Sequence, residues 1–69
     1  MKLSARNMLS GTVVDITTGA VTSHVRIDIG GSVLTASITN SAVQDLGLMV
    51  GGQAIAVIKA SDVMVGTVE

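Results

Sequence analysis

This chain has no cysteine, proline, phenylalanine, tyrosine or tryptophan, and only nine of its 69 residues carry a formal charge. Each absence removes a class of explanation. Without thiols there is no disulfide framework, and one histidine cannot supply a structural metal cage. Single-stranded nucleic acid is held by stacking bases on aromatic rings in a basic groove, and here there are no rings and a net charge of -1. No nucleic-acid partner is expected. No stretch approaches the roughly 18 apolar residues of a membrane span, and Met1-Lys2-Leu3 lacks the apolar run of a signal peptide, so a cytoplasmic location without a membrane partner is expected.

The apolar residues must therefore do the work with aliphatic side chains alone. Hydrophobic residues make up 48% of the chain and charged ones 13%, against roughly 25% charged in ordinary soluble domains. A 69-residue domain hides only about 60% of the surface of its unfolded chain, so its own core is marginal. With disulfide and metal excluded, oligomerisation is the remaining source of stability. We therefore expect one domain, residues 1–69, with apolar surface placed between subunits.

The segment Val21 to Ile29 alternates, with Val21, Val25, Ile27 and Ile29 on one face and Thr22, His24, Arg26 and Asp28 on the other. Gly30-Gly31 supplies a tight turn, and Ser32 to Ile38 resumes with Leu34, Ala36 and Ile38 on one side, a hairpin pattern. Upstream, Met8 to Ile16 is β-branched and ends at the turn signal Thr17-Thr18-Gly19. After Ile38, Ser41 stands three residues before Gln44 and Gly47 follows Leu46, which predicts a capping box, two helical turns and a C′ glycine, with Val43 and Leu46 facing the core. Gly51-Gly52 marks a turn, and Ala54 to Ile58 and Val63 to Val68 read as two more strands. The expected fold is all-β: a five-stranded, OB-like Greek-key barrel with one short helix, assembled as an oligomer. Both late strands are apolar on both faces, and one barrel interior cannot absorb both. The surplus face belongs against another subunit.

Chemistry concentrates at the two ends of the chain. Ser4-Ala5-Arg6-Asn7 and Lys59-Ala60-Ser61-Asp62 hold two of the four cationic side chains beside hydroxyls, amides and small residues. An Arg fork, a Lys point charge, serine hydroxyls and backbone N–H groups left open by alanine suit the four oxygens of a tetrahedral dianion. Thr39, Asn40 and Ser41 add a polar element where the helix begins. Nothing here supports catalysis. Asp15, Asp28, Asp45, Asp62 and Glu69 are scattered, His24 shares no motif with a serine, and no G-x-x-x-x-G-K-[ST] loop occurs. No catalytic residue, catalytic cofactor or bare metal cation is expected.

Ser4-Ala5-Arg6-Asn7 before a Gly-Thr-Val-Val strand, with Ile38-Thr39, Leu46-Gly47-Leu48 and Lys59-Ala60-Ser61-Asp62-Val63, resembles the molbindin (Mop domain) family over nearly the whole chain. The resemblance implies an OB-like barrel that binds molybdate or tungstate in the cytoplasm, as a homohexamer built as a trimer of dimers, for molybdenum storage and homeostasis. By position, it implies oxyanion-binding roles for Ser4, Ala5, Arg6, Thr39, Ser41, Lys59, Ala60 and Ser61. Gly19, Ala20, Val21 and Thr22 are the candidates for the family's second class of oxyanion site. Asn7 belongs to the motif but can serve the backbone. The alternative reading is an oligomeric structural or regulatory module without stored anion, in which Arg6 and Lys59 form interface ion pairs with Asp62 or Glu69.

Overall fold

The computed structural model describes residues 2–68. Four strands form one antiparallel sheet: β1 (Asn7–Thr18), β2 (Thr22–Asp28), β3 (Val33–Thr39) and β4 (Gln53–Ile58), in the spatial order β3-β2-β1-β4. Three hairpin-connected strands with the fourth returning beside the first is the Greek-key order. The helix α1 (Asn40–Asp45) lies between β3 and β4, and a short 3₁₀ turn (Ala60–Asp62) follows β4. Among the described residues the fifth strand is absent, because residues 63–68 pair with nothing in this chain. Their apolar side chains stand in solvent, with Met64 and Val65 each 92% exposed.

β1 is long enough to serve two ladders in succession. Asn7 to Thr12 pairs with β4, from Asn7↔Ile58 to Thr12↔Gln53, whereas Thr12 to Thr18 pairs with β2, from Thr12↔Asp28 to Thr18↔Ser23. A bulge between Val13 and Asp15 resets the pleat. It turns Ile16 inward opposite Val25 and leaves Asp15 and Thr17 outside. At Gly11 the backbones approach so closely that a Cβ would stand 2.3 Å from the Asp28 carbonyl oxygen. Only glycine permits that crossing.

The alternation read from the sequence holds in β2, where Ser23, Val25 and Ile27 are buried and Thr22, His24, Arg26 and Asp28 are exposed. Val13, Val25 and Ile27 form the buried core, with Ile16, Ile29, Ile38, Val43, Leu48, Ala54 and Ala56 packed around it. The β2–β3 turn uses Gly30 and Gly31 at φ 97° and 99°, and the Asp28 carboxylate accepts from the Gly30 N–H at 2.9 Å. Inside the curled sheet lies an open apolar groove bordered by Val25, Ile27, Leu34, Ile38, Ala56 and Ile58.

Two local expectations are corrected. The helix N-cap is Thr39, whose hydroxyl accepts from the Ala42 N–H at 3.1 Å, so Ser41 is already inside the helix and no capping box starts there. The Asn40 N–H bonds the Val21 carbonyl at 2.8 Å, which fixes the chain's entry into α1 before Ser41 is reached. Gly47 is the C′ glycine as expected, at φ 63°. Val43 packs on the core, but Leu46 caps the helix and is 68% exposed.

Candidate functional site

The Asn7↔Ile58 pair ends the β1–β4 ladder, so Arg6 and Lys59 are the next residues on neighbouring strands at one rim of the sheet. The Asn7 side chain donates to the Ile58 carbonyl at 3.3 Å and staples the two strands where the polar segments leave them. Asn7 thus serves the backbone. The sequence separates Ser4-Ala5-Arg6 from Lys59-Ala60-Ser61 by most of the chain, and antiparallel pairing brings together the points at which the two segments leave the sheet. Arg6 and Lys59 are both exposed, with Ala5 half-buried between them and the strand.

Beyond Lys59 the 3₁₀ turn is closed by the Asp62 N–H donating to the Lys59 carbonyl at 2.9 Å and the Val63 N–H to the Ala60 carbonyl at 3.2 Å. The first N–H groups of such a turn have no acceptor within it. The rim therefore offers two cations, the hydroxyls of Ser4 and Ser61 and N–H groups beside alanines, which cost a ligand little steric approach. Asp62 lies in the same turn, whereas Glu69 lies outside the described residues.

Thr39 and Ser41 are not at this rim. Thr39 is opposite Thr22 in the β2–β3 ladder, and Ser23 is opposite Thr18, so these residues sit at the far end of β1 from Asn7. A straight strand of twelve residues spans roughly 36 Å, and the whole molecule measures 37 × 31 × 22 Å. One chain does not bring Arg6 and Lys59 to Thr39 and Ser41. The Thr39 hydroxyl accepts the cap bond from Ala42 and keeps its own proton free to donate.

The Gly19–Thr22 stretch shares this second end. It is a turn closed by the Gly19 N–H donating to the Thr22 carbonyl at 2.8 Å. Two residues of the same end carry more of the local order than their sequence context suggests. Asn40 donates from Nδ2 to the Gly19 carbonyl at 3.0 Å and accepts at Oδ1 from the Ser23 hydroxyl at 2.5 Å, with Ser23 only 1% exposed. The signal for Ser23 was its inward parity with Val25 and Ile27: a serine on a core-facing row needs a polar partner.

Among the described residues no cluster of three or more His, Cys, Asp or Glu could hold a metal ion, and no helix is long and apolar enough to cross a membrane.

Residues 3–65 match the TOBE domain family. The chain is 54% identical over 67 residues to the "Probable molybdenum-pterin-binding protein" of Haemophilus influenzae, covering 96% of this chain and 97% of that one. Its fold superposes on a molybdate-binding protein from Sporomusa ovata with a TM-score of 0.92 at 39% identity, over 97% of this chain and all of the other. It also matches the cytoplasmic molybdate-binding protein ModG, solved with molybdate bound, with a TM-score of 0.88 and 49% identity over 93% of this chain and 46% of that one.

Proposed function

Because the chain belongs to the TOBE-domain family and, within it, to the molbindins, we propose that it binds molybdate or tungstate at sites shared between subunits of a homohexamer. The observation that supports this reading is the β1–β4 register, which pairs Asn7 with Ile58 so that Ser4-Ala5-Arg6 and Lys59-Ala60-Ser61 adjoin the same rim of the sheet. Arg6 and Lys59 neutralise the dianion, while the hydroxyls of Ser4 and Ser61 and the N–H groups beside Ala5 and Ala60 direct its oxygens. Thr39 and Ser41, at the opposite end of β1, reach that anion from a second subunit. Gly19, Ala20, Val21 and Thr22 form a second class of site, dominated by backbone N–H groups. Binding needs no covalent step, and discrimination against sulfate follows from size, since charge and shape are shared.

The apolar surface supports the assembly. Met8, Ile55 and Val57 are exposed on one outer face of β1 and β4, and the tail of residues 63–68 presents Val63, Met64, Val65 and Val68 to solvent. Apolar area on this scale in so small a domain calls for a protein partner, and a second copy meets that need. As a trimer of dimers in the cytoplasm, the protein stores molybdenum and buffers its free concentration.

The test is native mass spectrometry of the protein exposed to molybdate in excess sulfate. A hexamer retaining several molybdates is the expected result. A hexamer with none overturns the binding role and favours an assembly module in which Arg6 and Lys59 are interface ion pairs.

A further inference from the structure

The side chain and the backbone of Asn40 both join the turn after β1 to the start of α1. Its Nδ2 holds the Gly19 carbonyl at 3.0 Å, its Oδ1 receives the Ser23 hydroxyl, and its own backbone N–H holds the Val21 carbonyl at 2.8 Å. Both polar atoms of the amide are thereby satisfied, and the hydroxyl it engages is on a fully buried serine. A half-buried polar knot of this kind, anchored on a buried hydroxyl, fixes geometry more than it adds stability. The turn's own bond runs from the Gly19 N–H to the Thr22 carbonyl, and the Gly19 and Val21 carbonyls accept from Asn40. The N–H groups of Ala20 and Val21 take no part in them.

We propose that Asn40, buttressed by Ser23, is a positioning residue that holds the Ala20 and Val21 N–H groups in place for an oxyanion. The inference rests on the reading of Gly19–Thr22 as an anion site. Pulling both the Gly19 and Val21 carbonyls onto one residue orients the two carbonyls flanking Ala20 toward α1. The peptide between them is then fixed before any ligand arrives, and the cost of ordering a glycine-bearing turn is met in folding rather than in binding. Asn40 itself touches no anion. Loss of its amide strands the Ser23 hydroxyl in the core and releases the Gly19 carbonyl.

The experiment follows backbone amide resonances of the full-length protein during titration with sodium molybdate, for the parent and for Asn40→Ala. In the parent, the Ala20 and Val21 amides shift with molybdate. In Asn40→Ala they need about tenfold more molybdate, the usual scale for removing a residue that orients a ligand-holding group, and are weakened by a larger factor than Ala60 and Ser61. Equal factors, or an unchanged titration, overturn the proposal, because a residue that only stabilises the fold lowers the melting temperature without moving these two amides selectively. Should Asn40→Ala fail to assemble, Ser23→Ala removes only the buttress and is expected to cause a smaller loss at the same amides; no loss overturns the proposal. If Ala60 and Ser61 respond in the parent but Ala20 and Val21 do not, the inference fails and the rim site stands. If no amide responds, the binding function itself fails.

Discussion

Gly11→Ala tests the crossing on which the whole arrangement of β1 depends. An ideal Cβ at Gly11 falls 2.3 Å from the Asp28 carbonyl oxygen and 2.7 Å from Ile27 Cγ2, and real Cβ contacts do not go below 3.0 Å. The two strands must part by about 0.7 Å at a point where one neighbour is backbone and cannot rotate away. Overpacking of this kind costs about 1–3 kcal/mol, and the strained Thr12↔Asp28 pairing adds about 1 kcal/mol for a ladder hydrogen bond. A loss of about 2–4 kcal/mol is expected. For a 69-residue chain whose stability is of the order of 3–10 kcal/mol, that is a large part of the total. Urea denaturation at fixed protomer concentration measures it, with Ser10→Ala, next door on the exposed face, expected to stay within about 0.5 kcal/mol. A Gly11→Ala protein as stable as Ser10→Ala would refute the steric argument and with it the claim that glycine is needed at this crossing.

Arg6→Ala is expected to weaken molybdate binding by about 2–4 kcal/mol, the range for stripping one partner from an enclosed charge pair, read by calorimetry; an unchanged affinity removes Arg6 from the site. Thr39→Val deletes an N-cap worth about 1 kcal/mol and, on the proposed reading, a hydroxyl that reaches the same anion, so both affinity and melting temperature are expected to fall, and loss of stability alone would confine Thr39 to capping. If Arg6 and Thr39 act from different subunits, as proposed, co-refolding Arg6→Ala with Thr39→Val chains restores some intact sites that neither variant has alone. Equal binding by mixed and unmixed preparations contradicts the shared site. Ending the chain after Asp62 removes the exposed apolar tail and is expected to shift the proposed hexamer to smaller species in light scattering, while an assembly that survives shows that other faces hold it.

Most of the sheet was legible because its strands alternate. β2 buries Ser23, Val25 and Ile27 and exposes the residues between them, and the Gly30-Gly31 turn to β3 falls where expected. Strand ends moved by a residue or two, since local pattern does not mark where a ladder stops. The fifth strand failed for a different reason. Residues 63–68 have strand-forming side chains but pair with neither open edge of the sheet, β3 or β4, and β-propensity records a fit to neighbours rather than a property of the segment. Thr39 and Ser41 are both cap-forming residues, and the hydrogen bond from the Asn40 N–H to the Val21 carbonyl, invisible in sequence, chose Thr39. That the Arg6 and Lys59 segments adjoin one rim was suggested by chemistry, and the pairing of Asn7 with Ile58 supplies the reason. That Thr39 and Ser41 lie at the other end of the molecule could not be read at all, because the length of β1 is divided between two ladders.

That division has a consequence for how such a protein would respond to its own abundance. If the ligand seat is assembled from opposite ends of two different chains, as proposed, it exists only while those chains are together, so capacity follows the fraction assembled and not the number of chains. Dilution below the dissociation point would empty the seats without any competing anion, and bound anion would in turn hold the chains together. The amount of protein made would then set both how much oxyanion is held and how readily it is given up.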